Sequence, residues 1–257
     1  MKIAVFVKQV PDSAAKLSVD NGTVNWGDAP LVINPWDEYA VEAALQLAEK
    51  HNGEVAAISL GDENAKEALK HALAMGAASA TLVSDPALAK ADAAAAARVF
   101  AAAVQKLGGV DLAIFGKQAI DSDTGLAPAM TARVLGWPAL SMVAAIPSLD
   151  AGSIKVERAI EEGRQIVEGK LPAVLSIVKD FAEPRYPSFM GIRKASKAEI
   201  AVWSLGDLGI SAPDSKVSWA EISAPPARDV TSEMVTGANA DEIAAKLADL
   251  IIAEGVL

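Results

Sequence analysis

Ten consecutive residues, Gly116-Lys117-Gln118-Ala119-Ile120-Asp121-Ser122-Asp123-Thr124-Gly125, join a short apolar run at 111–115 to a helix-patterned segment at 126–135. A strand-to-helix junction of this kind is suited to holding a nucleotide phosphate. The first backbone N–H groups of a helix lack internal acceptors and carry the positive end of the helix dipole, so anionic oxygens are stabilised there. A glycine at each end of the junction permits close backbone approach. The residue order matches neither the phosphate loop in which Gly-Lys is followed by Ser or Thr, nor the glycine spacing of dinucleotide-binding turns. A purely structural reading stands beside the chemical one: Asp123 or Thr124 caps the helix and Gly125 eases the turn.

Composition removes several other chemistries. The 257 residues carry a formal net charge of -10, which argues against nucleic acid or an anionic membrane surface as the main partner. With no cysteine, disulfides, thiolate nucleophiles and Cys-ligated metal are excluded. The two histidines, His51 and His71, sit in helix-patterned segments and read as packing or surface residues rather than as a metal site or triad. No apolar run reaches the roughly 20 residues that span a bilayer, and Met1-Lys2 leads directly into a strand pattern rather than a targeting peptide. A cytoplasmic protein without membrane insertion is the expectation.

The junction must be held by a scaffold, and the pattern upstream supplies one. Apolar runs of strand length occur at 3–7, 54–60, 80–83 and 111–115. Between them lie helix-patterned segments at 38–50, 64–75 and 87–107, the last rich in alanine, and Gly76 is placed to stop the second. Strands alternating with helices predict an α/β fold with a Rossmann-like parallel sheet and helices on both faces. Ligands of such sheets gather beyond the carboxyl ends of the strands. The loops after Val7, Leu60 and Phe115, with Asn34, Pro35, Trp36 and Asp37, would then enclose one adenine nucleotide.

After Pro138 the pattern changes. Partial apolar/charged alternation at 154–160, the turn Glu161-Glu162-Gly163 and a returning segment at 164–171 predict a hairpin, followed by an apolar strand at 173–178. A nucleotide-binding domain is therefore expected over 1–181. Beyond it, Pro184, Pro187, Pro213, Pro225 and Pro226 punctuate a long stretch until Ile243, Leu247 and Ile251 recur at helical spacing. Residues 182–257 read as a recognition loop and a C-terminal extended arm that packs on another chain, a flexible tail being the alternative.

Taken in order, Val7-Lys8-Gln9-Val10-Pro11-Asp12, Asn34-Pro35-Trp36-Asp37-Glu38, Ala72-Leu73-Ala74-Met75-Gly76-Ala77, Gly116-Lys117-Gln118-Ala119-Ile120-Asp121, Val156-Glu157-Arg158, Lys170-Leu171-Pro172-Ala173-Val174, Glu183-Pro184-Arg185-Tyr186 and Gly206-Asp207-Leu208-Gly209 resemble the β subunit of electron-transfer flavoprotein. The resemblance covers almost the whole chain. It implies a fold of the adenine-nucleotide α-hydrolase type and a heterodimer with an α subunit that holds most of the FAD. Such a complex carries electrons from flavin dehydrogenases, acyl-CoA dehydrogenases among them, to electron-transfer flavoprotein:quinone oxidoreductase or a similar acceptor. The β subunit would be a carrier component, not a catalyst.

The resemblance further implies AMP as a structural nucleotide in this subunit, or a second, redox-active FAD in the electron-bifurcating branch. Position by position it puts Phe6 and Leu60 beside the adenosine and Asn34, Pro35, Trp36 and Asp37 along its rim. Gly116, Lys117, Gln118, Ala119, Ile120, Asp121, Ser122, Asp123, Thr124, Gly125, Leu126 and Ala127 would form the phosphate loop. Two departures bear on the branch: Ser13 stands where the AMP-binding branch often has an aromatic residue, and Asp123-Thr124 continues with Gly125-Leu126-Ala127-Pro128 rather than Ala-Gln-Val-Gly-Pro. AMP is the favoured occupant.

The segment 183–197 resembles the family's recognition loop, with Phe189 and Met190 at the place of an exposed leucine anchor. Arg185, Tyr186, Arg193 and Lys194 would complete it, the cations facing an acidic partner surface. Burying the phenylalanine would contribute roughly 1.5 to 3 kcal/mol. Without the resemblance, Phe189 reads as a core residue and the charges as a solvated face. Two other function classes are the alternatives: an ATP-cleaving hydrolase of related fold, which this loop matches poorly, and a stress-type adenine-nucleotide-binding module, which needs no arm.

Overall fold

The computed structural model describes residues 1–226 and 231–255. Those residues divide into two compact units, Met1–Ile222 and Ser223–Leu257. Parts of the expected arm, 227–230 and 256–257, lie outside the described residues.

The chain opens with β1 (Lys2–Phe6), followed by the short strands β2 (Gln9–Pro11), β3 (Ser18–Asp20), β4 (Thr23–Asn25) and β5 (Leu31–Ile33) and by α1 (Pro35–Lys50). Next come β6 (Glu54–Leu60), α2 (Lys66–Met75), β7 (Ser79–Val83), α3 (Ala93–Leu107), β8 (Leu112–Gly116) and α4 (Ala127–Leu135). The remainder is β9 (Ala139–Leu149), β10 (Ser153–Ile160), β11 (Gly163–Lys170), β12 (Ala173–Ile177), α5 (Phe189–Ala195), β13 (Ala201–Trp203) and α6 (Ala240–Ala253).

Nine strands form the main sheet in the order β11-β10-β9-β12-β8-β1-β6-β7-β13. From β9 to β13 every pairing is parallel, and the β10–β11 hairpin continues one side antiparallel. The expected α/β fold is thus present. Alternation along β1 shows why both faces are covered. Ile3 and Val5 pack in a core with α1 and α2, whereas Ala4 and Phe6 pack in a second core with residues of α3 and α4.

Three features differ from the sequence reading. Helix α3 begins at Ala93, not at 87, because Asp85 caps a separate turn over Pro86–Leu88 and Asp92 caps α3 through Ala95 N–H. Strand β9, absent from the sequence reading, bends at Met142, whose φ is 60°, and its pairing shifts register against β10 and β12. The first compact unit also reaches past 181. Its segment 182–222 contains α5, the buried Leu205 and β13, which pairs with β7.

In the second unit, α6 forms where Ile243, Leu247 and Ile251 recur. Asn239 Oδ1 accepts from Glu242 N–H at 2.9 Å and Glu242 Oε2 accepts from Ala238 N–H at 2.9 Å, a reciprocal cap at the helix start. Lys246 pairs with Glu242 one turn on, at 2.6 Å.

Candidate functional site

Strand β1 lies at the middle of the parallel region, and the chain leaves it in opposite directions. β6 and then β7 build outward on one side, whereas β8 and then β12 build on the other. The crevice outside the carboxyl ends of β1 and β8 is therefore the topological switch point, where open parallel sheets take their ligands. The sequence places there Lys8, the α1 start at Asn34 to Asp37, and the loop from Gly116 to Ala127.

Asn34 organises this crevice. It is fully buried and precedes α1, yet its side chain makes no cap bond to that helix. Its Nδ2 donates to Gln118 O at 2.8 Å and its Oδ1 accepts from Ile120 N–H at 3.2 Å. Its own N–H donates to Lys8 O at 2.8 Å. Through its carboxamide and its backbone N–H, this one residue thus fastens the loop after β8 to the loop after β1, and Pro35 is tolerated at the first helical position because its missing N–H is not needed there.

Asp37 is also buried, and its Oδ2 accepts from Lys8 N–H at 2.8 Å. Burial pushes its carboxyl up to about 7, although Asn34, the N–H groups of Lys8 and Gly116 and the Lys8 charge pull the other way. Gly116 is required here for space. A Cβ at this position would lie 2.6 Å from Trp36 C and 2.7 Å from Trp36 O and would overlap the Asp37 carboxylate.

The loop then folds on itself. Asp123 N–H donates to Ala119 O at 2.8 Å, Asp123 and Gly125 both have positive φ, and Gly125 packs beside Lys117 O. Asp123 accepts from Gln118 Nε2, so it does not cap the helix. Helix α4 starts after Leu126 with no side-chain cap, a proline in its first turn and no acid there. Its first N–H groups have no capping side chain, and an anionic oxygen would satisfy them. Lys8 Nζ reaches Asp121 Oδ2 at 2.6 Å, and Lys117 Nζ stands 5.1 Å from the centre of the Trp36 ring.

The remaining expected contacts are distributed as follows. Leu60 ends β6, half-buried beside the same edge. Phe6 is sealed in the core, stacked on Phe115 at 4.2 Å and edge-on to Phe100 at 4.9 Å, so its ring faces other rings and only its backbone borders the crevice. Lys117, Gln118, Ala119 and Ile120 are half-buried, and Asp121, Ser122, Asp123, Thr124 and Leu126 are exposed. Lys8 is a residue that the sequence reading did not place in the site; its position two residues past the end of β1 was the available signal. A concavity of about 480 Å³ lies instead at the amino edge of the sheet, lined by Lys2, Glu54 and Asp111 among others. Its open polar lining has no buried anchoring group comparable to Asn34, so the carboxyl edge is the better candidate.

The expected recognition residues form a second group. Helix α5 is capped by Ser188 Oγ, which accepts Gly191 N–H at 2.9 Å, and it packs on α2. A Cβ on Gly191 would overlap Ala74 O, so a glycine permits this approach. The opposite side presents Phe189, 79% exposed, with Met190 and Arg193, and Tyr186 nearby in sequence is 95% exposed. Lys194 is exposed as well. Arg185 is engaged within the chain: its Nε donates to the buried Glu42 at 2.8 Å and its Nη1 to Glu49 at 2.5 Å. Burial raises the Glu42 carboxyl, but the hydrogen bonds from the Arg185 side chain, Gln46 and the Arg185 N–H, with the Arg185 charge, together outweigh it and hold the group below the usual range.

Among the described residues no three His, Cys, Asp or Glu side chains come together as a metal site, and no helix is long and apolar enough to cross a membrane.

A family model described as the electron transfer flavoprotein domain matches residues 23–208. The chain belongs to the electron transfer flavoprotein family. The subunit CarD of a caffeyl-CoA reductase–Etf complex from Acetobacterium woodii is 36% identical over 254 residues, 96% of each chain. The electron transfer flavoprotein subunit beta of Thermoanaerobacterium thermosaccharolyticum is 38% identical, covering 82% of this chain and 81% of its own. Protein FixA of Azorhizobium caulinodans is 37% identical, covering 82% and 77%. The chain is thus a β-subunit-like electron transfer flavoprotein component, as its motifs suggested.

Proposed function

We propose that this chain is the β subunit of a heterodimeric electron transfer flavoprotein. In this reading it holds AMP at the carboxyl edge of β1 and β8, and passes electrons through the FAD that it shares with an α subunit. The observation that carries the nucleotide assignment is the pair of hydrogen bonds that Asn34 makes to Gln118 and Ile120, which fixes a loop ending at the uncapped start of α4. Asn34, Asp37 and Gly116 would shape the rim, and the backbone of the loop through Ala127 would meet the phosphate. The subunit supplies no reacting group of its own, and works as a carrier component.

The exposed side of α5, with Phe189, Met190, Arg193 and Lys194, is read as the docking surface for flavin dehydrogenases. Full-length similarity to a subunit of a caffeyl-CoA reductase–Etf complex supports partners that act on CoA thioesters. The acceptor in this reading is a quinone oxidoreductase or a similar protein, the location cytoplasmic, and the α subunit receives the C-terminal arm.

A second occupant, FAD in place of AMP, has one observation in its favour. Lys8 and Lys117 bring two cations to one loop, which would suit the two phosphates of a dinucleotide.

The test of the carrier reading is to co-express the chain with its α subunit, add a reduced flavin dehydrogenase and follow bleaching of the complex's FAD. Reduction that saturates with complex concentration is expected. A complex that forms but takes no electrons from flavin dehydrogenases or CoA-thioester reductases would contradict it.

A further inference from the structure

We infer that Asn21 is a site of spontaneous covalent modification: at the tip of the β3–β4 hairpin it is placed to lose its side-chain nitrogen by deamidation, whereas the chain's other Asn-Gly step, Asn52-Gly53, is held against the same reaction. The inference stands apart from the nucleotide reading.

The chemistry needs water and nothing else. The backbone nitrogen of Gly22 gives up its proton and bonds to the side-chain carbonyl carbon of Asn21. The bond from that carbon to the amide nitrogen breaks, ammonia leaves, and a cyclic imide remains. Water then adds across one imide C–N bond. Opening at the side-chain carbonyl leaves an aspartate at position 21, and opening at the main-chain carbonyl leaves an isoaspartate whose backbone is one methylene longer. One water enters, one ammonia departs and nothing is oxidised or reduced. Glycine in the second position favours the attack because no Cβ crowds its nitrogen.

Asn21 and Gly22 are the two loop residues between Asp20 and Thr23, which pair across the hairpin. Their φ values of 50° and 73° are those of a primed two-residue turn, for which Asn-Gly is a preferred pair. Both are exposed, and no turn or loop hydrogen bond engages the Gly22 N–H among the described residues. The hairpin around them is weak: each strand has three residues, the two make a sheet of their own, and only Val19 is half-buried. A lone two-stranded hairpin is marginally stable in water, so it opens locally far more readily than the main sheet. It is also fenced off. Asp12 N–H donates to Pro30 O at 2.9 Å and β2 pairs with β5, so the turn can open without disturbing the ladder that leads to Asn34.

Asn52 starts from the same backbone shape, with a φ of 49°, and is exposed as well. What differs is the nucleophile. Gly53 N–H donates to Ala48 O at 2.8 Å, and a Cβ on Gly53 would lie 2.6 Å from Met1 O. The next residue, Glu54, donates to Met1 O at 2.9 Å and opens the β6 pairing with β1. Freeing the Gly53 nitrogen therefore means unravelling the junction of α1 and β6.

The test incubates the complex co-expressed with its α subunit at mildly alkaline pH and maps its peptides by mass spectrometry, resolving asparagine, aspartate and isoaspartate at positions 21 and 52. Product at 21 should form about tenfold or more faster than at 52, as expected for a step gated by local opening. In concentrated urea the two steps should react at similar rates, which assigns the difference to the fold. The fraction modified at 21, separated by its extra negative charge, should melt at the parent temperature. Equal rates in the folded complex, a faster reaction at 52, or product at neither position while both react in urea would overturn the inference. A lowered melting temperature would show that the hairpin does not open separately, and would overturn it too.

Discussion

Asp37 and Gly116 occupy the same small volume at the switch point of the sheet: the carboxylate of the first fills the space that a side chain on the second would need. The contact joins the start of α1 to the end of β8, and Asn34 repeats the link one residue layer away. Gly116→Ala should therefore destabilise the chain by about 1 to 3 kcal/mol, the usual cost of overpacking a rigid site. Chemical denaturation measures the cost, and nucleotide released from the complex should fall with it. Gly125→Ala should be milder in contact terms, since its nearest neighbour is at 3.4 Å, but it adds strain at a φ of 61°.

The raised Asp37 carboxyl makes a signed prediction. The unfolded chain loses this proton near the ordinary aspartate value of 3.8, whereas the folded chain keeps it up to about 7. Between those values the folded state binds more protons, so the contribution of Asp37 to stability is fully present below the lower value and is lost as pH rises through the upper one. Asp37→Asn removes the titration. Denaturation across this window should show a flatter pH dependence in the variant, whatever its absolute stability; an identical slope in both proteins would contradict the assignment.

Arg185 joins the segment before α5 to α1 through Glu42 and Glu49. Arg185→Ala leaves the Glu42 carboxylate buried without its cation. The expected loss is about 2 kcal/mol, below the full cost of breaking a buried pair because the arginine side is partly exposed. Thermal melting of the complex measures it. A melting temperature equal to that of the parent would show that Arg185 is free to serve a partner instead.

Phe189 has no such internal duty. Phe189→Ala should alter stability by less than about 0.5 kcal/mol, as surface changes generally do. Reduction of the complex by its dehydrogenase should slow while bound flavin is retained. Reduction at the parent rate would remove Phe189 from the docking surface.

Much of this architecture is legible in the residues. β1, β6, β8 and β12 are continuous apolar runs, as strands buried on both faces must be, and the loops that follow the first three are found where the pattern put them. β9 was not legible. Its core contacts depend on a bend at Met142 and it contains Pro147, so neither period nor propensity announces it. α5 was hidden by its seven-residue length and by Gly191, a poor helix former whose value lies in its approach to Ala74. The partners of Asn34 were equally invisible. An asparagine before a proline-started helix reads as a cap, and only the fold shows that its carboxamide turns to a loop more than eighty residues away.

The central claim is that this chain holds an adenine nucleotide within a flavoprotein heterodimer, and counting the nucleotides tests it most directly. The complex co-expressed with its α subunit is denatured, and the released AMP and FAD are separated and quantified per heterodimer. The account predicts one AMP and one FAD. Two FAD and no AMP would keep the site and change its occupant to the second flavin. FAD alone, at one per heterodimer with the crevice of this chain empty, would contradict the claim.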